Sequence, residues 1–120
     1  RSNDLRNESF NLGPEPDVNK TVEELLNEMK RHWELVNWNI ELPKDIKMKE
    51  SSLLKLSCDK ANNYLDWYTT LDFKMTIEFT VNWYKEFYSS KINQPISDLT
   101  LNQINNYCQI AKAKKLKWTL

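Results

Sequence analysis

The sequence predicts an α+β domain, mainly helical with a few short strands, and three observations carry that expectation. Two stretches open on a helix-start signature and continue with apolar residues three and four apart. Brief segments alternate apolar and polar residues, the period of half-buried strands, and two of the breaks that follow carry proline. A length of 120 residues suits one domain with one core.

Residues 1–8, RSNDLRNE, have charge, Asn and a single Leu without a period, and read as a disordered or cut N-terminal end; residues 9–120 form the single domain. Phe10 and Leu12 fall on one side of a short strand over Ser9–Leu12, which Gly13, Pro14 and Pro16 stop. Thr21-Val22-Glu23-Glu24 matches a capping box, in which the Thr hydroxyl takes one orphan amide and the Glu reaches back to another. Val22, Leu25, Leu26, Met29, Trp33 and Val36 then make one apolar stripe, so the helix is expected to run to about Val36. Trp38, Ile40 and Leu42 alternate with polar residues in a second strand that Pro43 closes.

After the polar loop KDIKMKESS, Leu54 and Leu56 flank Lys55 in a third strand. Ser57 is placed to cap a helix holding Ala61, Tyr64 and Leu65 inward, and Asp66 stands where Gly usually ends one. From Leu71 to Tyr88 two patterns compete. Phe73, Met75, Ile77, Phe79, Val81 and Trp83 alternate as in a strand, yet Phe73, Ile77, Val81, Tyr84 and Tyr88 also lie at helical spacing, with no breaker for about 18 residues. Residues 89–95 read as a linker, and Thr100-Leu101-Asn102-Gln103 as a capping box opening a last helix with Leu101, Ile104, Cys108 and Ala111 inward.

Lysine plus arginine and aspartate plus glutamate number 17 each, so no global field draws the chain to nucleic acid or an anionic membrane. No apolar run is long enough for a secretion signal or a membrane span, which points to the cytoplasm. Cys58 and Cys108, far apart, suit free buried thiols. Gly13 is the only glycine, so no Gly-rich turn brings backbone amides to a phosphate. His32 is the only histidine and lacks Cys or carboxylate neighbours at ligand spacing, so no metal is expected; it reads as a structural residue beside Met29 and Val36. No Tyr has a Lys four residues on, so the dyad in which an ammonium depresses a phenol pKa is missing and no catalytic residue is assigned. Lys112, Lys114, Lys115 and Lys117 read as a solvated helix end, and Trp67, Trp83, Tyr84, Phe87 and Tyr88 as core. Glu50 is by default a solvated loop residue; its place just before a buried strand is where a carboxylate can be held rigidly, and its two acceptor oxygens suit vicinal hydroxyls such as those of a ribose.

The segments ESFNLGP (8–14), TVEELLNEM (21–29), KESSLLKLSCDKANNYLDW (49–67), TIEFTVNWYKEFY (76–88) and LTLNQINNY (99–107), in that order, resemble the C-terminal end of the CDP-glucose 4,6-dehydratases. These are NAD-dependent nucleotide-sugar dehydratases of the extended short-chain dehydrogenase/reductase class. Glu50 matches the Glu of the family's middle motif, Lys60-Ala61 its Lys-Ala, and Leu65 and Trp67 its closing Leu and Trp. Lys49 replaces a His, Ser51 an Ala, Ser57 an Asp, Asp59 a Ser and Asp66 a Gly, and no Pro follows Tyr68.

The resemblance implies a mainly helical, C-terminal substrate-binding lobe lacking the Rossmann domain, with Leu71–Tyr88 a helix. It implies that Glu50 contacts the nucleoside of a CDP-sugar; Lys49, where the family has His, is placed either to contact the diphosphate or to lie in solvent. It also implies that NAD and the catalytic residues belong to an N-terminal half, either severed from this chain or a separate partner chain. The complete enzyme would oxidise the sugar at C4, eliminate water across C5 and C6 and return the hydride at C6; this chain would bind CDP weakly and be inert alone. A different expectation is a stand-alone protein-interaction or oligomerisation module, for instance a homodimer, using its aromatic residues. A third is a minor enzyme pairing His32 with a cysteine.

Overall fold

The computed structural model describes residues 5–15, 18–39, 56–89 and 95–120. They contain four α-helices, α1 (Val22–His32), α2 (Asp59–Leu65), α3 (Phe73–Phe87) and α4 (Ile96–Ala113), and a closing 3₁₀ turn, Lys117–Thr119. The expected α+β class is corrected: no strand occurs among the described residues. Ser9–Leu12 has no ladder partner among the described residues and meets the start of α2 through side-chain hydrogen bonds. Trp38 and Asn39 are not in a strand, nor is Leu56, and the rest of those two expected strands lies outside the described residues.

The capping box of α1 forms as expected: the Thr21 hydroxyl accepts from the Glu24 amide at 3.1 Å, and the Glu24 carboxylate accepts from the Thr21 amide at 2.9 Å. The helix stops at His32 rather than near Val36. Trp33 turns extended at φ −144°, its amide closing the last bond to the Met29 carbonyl, and Val36 bonds back to Trp33 in a turn. In α2 the N-cap is Cys58, with no side-chain capping bond; the Ser57 hydroxyl reaches only the Asp59 amide at 3.4 Å. Asp66 takes the left-handed conformation, φ 52°, that its place after the helix called for. Ala61 is buried, but Tyr64 and Leu65 are about half exposed, contrary to expectation.

α3 resolves the competition between two patterns in favour of helix. Asp72 caps it, accepting from the Met75 amide at 2.9 Å. The alternation has a physical cause, because α3 is covered on two sides. Contacts join α1 to α3 and α3 to α4, and none joins α1 to α4, so α3 is the middle of a three-helix layer. Lys20 over the Phe73 ring, Lys85 on the His32 carbonyl and Trp33 stacked on Tyr88 set α1 parallel to the stripe Phe73–Ile77–Val81. On the other side the Trp83 indole donates to the Thr100 hydroxyl at 2.8 Å and Gln103 donates to the Phe79 carbonyl at 2.7 Å, which sets α4 antiparallel. Two helical stripes offset by two residues read as a strand when written in one line.

α4 begins at Ile96, four residues before the expected capping box, so Thr100 and Gln103 are mid-helix residues spent on α3. That choice rotates the helix away from the expected orientation. Ala111 is buried, while Leu101, Ile104 and Cys108 are exposed. The buried apolar set of the described chain is small: Cys58, Ala61, Ile77, Val81 and Ala111.

Candidate functional site

Glu50 and Lys49, the residues singled out for nucleotide-sugar binding, lie outside the described residues. The stretch that follows them is described from Leu56, and it meets the segment ESFNLGP. The Lys60 ammonium donates to the Glu8 carboxylate at 2.6 Å and to the Ser9 carbonyl at 2.9 Å, and lies 5.0 Å from the Phe10 ring centre. Asn11 donates to the Ser57 carbonyl at 3.4 Å, and a Cβ added to Gly13 would touch Cys58 and Leu56. Two segments nearly fifty residues apart thus form one contact, with Cys58 buried beneath it.

Beside this contact opens a cleft of about 820 Å³. Leu12, Pro14, Leu25, Trp67, Phe73 and Ile77 make its apolar walls. Its polar groups include Glu15, the pair Thr69 and Thr70, and Lys114 at the end of α4, with Lys20, Asp72, Thr76 and Tyr107 also on the lining. The Thr69 hydroxyl donates to the Glu15 carboxylate at 3.0 Å and the Thr69 amide approaches it at 3.4 Å. Lys114 donates to the Thr70 carbonyl at 2.7 Å, so this lysine is anchored rather than a free helix end. Thr70 is 2% exposed, and its hydroxyl has no hydrogen-bond partner among the described residues. A buried hydroxyl without a partner loses its hydration uncompensated, and a mostly apolar cleft with a few convergent polar groups is the usual form of a small-molecule site.

Two charged groups are perturbed. The hydrogen bond from Lys20, at 2.7 Å, and that from the Thr21 amide hold Glu24 below the usual carboxylate range. The Asp66 carboxylate, hydrogen-bonded to Lys117 at 2.9 Å and attracting its charge, holds that ammonium above the usual lysine range.

Other residues considered from sequence take ordinary places. His32 lies 3.7 Å from the Glu28 carboxylate at the end of α1. Both cysteines are free; Cys58 is buried as expected and Cys108 is not. Of the aromatic set expected in the core, Tyr84, Phe87 and Tyr88 are about half exposed. No group of three or more His, Cys, Asp or Glu gathers among the described residues in a way that would hold a metal. None of their helices is long and apolar enough to cross a membrane. Sequence reasoning missed Glu15, Thr70 and Lys114, because each acquires its role from a partner over forty residues away.

No family model, curated protein or solved structure matches this chain.

Proposed function

We propose that this chain is the C-terminal, substrate-binding portion of a cytoplasmic CDP-glucose 4,6-dehydratase, contributing nucleotide-sugar binding and not catalytic alone. The observation that carries the reading is the ordered series of five resembling segments. Its structural support is that segments distant in sequence meet: ESFNLGP on the start of α2, and α3 on α4. The cleft beside the first contact adds the Glu15 carboxylate, a Thr70 hydroxyl without a partner among the described residues and the Lys114 ammonium, donors and acceptors that suit a hydroxyl-rich ligand.

NAD, which the resemblance attaches to the complete enzyme, does not fit the residues described here. Gly13 precedes a proline and is followed by no helix start, and the place of its missing Cβ faces Leu56 and Cys58 rather than open space. A phosphate cradle needs successive free amides at a helix N-terminus. The redox and proton-transfer groups of the reaction are therefore assigned to the N-terminal half that the resemblance implies.

Calorimetry tests the reading. CDP is expected to bind weakly, and Glu50→Ala to abolish the heat; unchanged binding in the variant would remove Glu50 from the site. With NAD and CDP-glucose the chain alone is expected to show no turnover, and turnover would refute the division of labour. A second reading, an interaction module built on the same helices, is favoured by the half-exposed Tyr84, Phe87 and Tyr88.

A further inference from the structure

One side of the α3–α4 pair carries a single charge, Lys112, at the far end of α4. With successive residues set about 100° apart, Lys74, Glu78, Lys85 and Glu86 of α3 share one arc. The opposite flank, Phe73, Thr76, Thr80, Tyr84 and Phe87, is uncharged. On α4, Leu101, Ile104 and Cys108 form an exposed stripe, and Asp98, the sole charge in residues 96–111, is on another face. Because α4 runs antiparallel through the Trp83–Thr100 and Phe79–Gln103 bonds, helix handedness turns its stripe to the same side as Thr80 and Phe87. The face is continuous, since Phe87 stacks on Trp83 at 5.1 Å and Trp83 bonds to Thr100, the neighbour of Leu101.

The exposed side chains here are large: Tyr84 47%, Phe87 51%, Leu101 57% and Ile104 54%. Taking half of four side chains of about 150–250 Å² leaves roughly 300–500 Å² of apolar surface per copy. A stable interface of standard size covers about 800 Å² per partner, roughly 60% of it apolar, and is poor in charge at its centre. The centre of the face is free of charge, and the upper end of its apolar area reaches that share. Acidic and basic residues balance at 17 each, so two copies do not repel at long range.

We propose that a second copy of this chain covers the face in an isologous two-fold dimer, with Phe87 and Ile104 at its centre. The inference does not rest on the nucleotide-sugar reading, and it gives the second reading a surface and a partner. Sedimentation equilibrium from micromolar to near-millimolar concentration is expected to show twice the chain mass. Phe87→Glu and Ile104→Glu each put a carboxylate into the face and are expected to weaken the dimer at least about tenfold. Asn82→Glu, on the charged arc, is expected to change nothing, and circular dichroism shows whether each variant keeps its helices.

Alkylation of Cys108 in the unaltered chain gives a readout without mutation, because the thiol is on the covered face and its rate is expected to fall as concentration rises. A monomer mass at every concentration, a dimer that survives both glutamates, or an alkylation rate independent of concentration would overturn the proposal. CDP binding that persists in the monomeric variants would leave the nucleotide-sugar reading standing whichever result is found.

Discussion

Thr70 places a hydroxyl in the cleft wall with its carbonyl already taken by Lys114. A buried hydroxyl without a partner costs about 1–3 kcal/mol of desolvation. Thr70→Val removes it at nearly the same volume and is expected to stabilise the chain by about 1 kcal/mol in urea unfolding. If the hydroxyl serves a ligand, the same variant loses CDP affinity, so the two effects have opposite signs. Loss of stability in Thr70→Val would mean that the hydroxyl is paired after all. Asp66 was legible at this scale: its place after Leu65 asked for a left-handed residue, and Asp tolerates that region better than most side chains. Thr70 was not, since nothing in a Thr-Thr pair says which hydroxyl is covered.

At the scale of the element, α1 depends on its capping box. Thr21→Ala leaves the Glu24 amide without its partner and is expected to cost about 1 kcal/mol, seen as a lower thermal midpoint. The box also titrates. Glu24 has a folded-state pKa depressed below its unfolded value, so its contribution is present above the ordinary carboxylate range and is lost as pH falls through the lowered value. Lys117 works with the opposite sign: its pKa is raised, and its contribution is present below the ordinary lysine range and lost as pH rises through the raised value. Chemical-shift titration of the Thr21 amide checks the first; an amide unmoved through the acid range would exclude the coupling. The start of α1 was readable because a capping box is local chemistry. The start of α4 was misread for the same reason, since Thr100 and Gln103 satisfy the local pattern while their side chains bind α3.

Among the described residues few side chains are buried, and Ile77 and Val81 lie at the centre of the three-helix layer. Ile77→Ala is expected to cost about 2–5 kcal/mol, the range for truncating a buried aliphatic residue. With so small a core, that loss should broaden or abolish the cooperative thermal transition measured by circular dichroism. A sharp transition within a few degrees of the original would show that the stability lies elsewhere, for instance across a dimer face.

By itself, the sequence determined the starts and ends that local chemistry sets, namely the Thr21 cap and the left-handed Asp66, and the apolar periodicity available to each helix. The resemblance already implied a helix within Leu71–Tyr88; only the tertiary structure decided that α3 is covered on two sides, that α4 turns Thr100 and Gln103 inward and leaves Leu101 and Ile104 exposed, and that Glu15, Thr70 and Lys114 share a cleft. The physical reason is that a stripe of apolar residues states a period but not a direction. Direction is chosen by whichever neighbouring side chain completes a hydrogen bond or a ring contact, and those neighbours are 17 to 54 residues away.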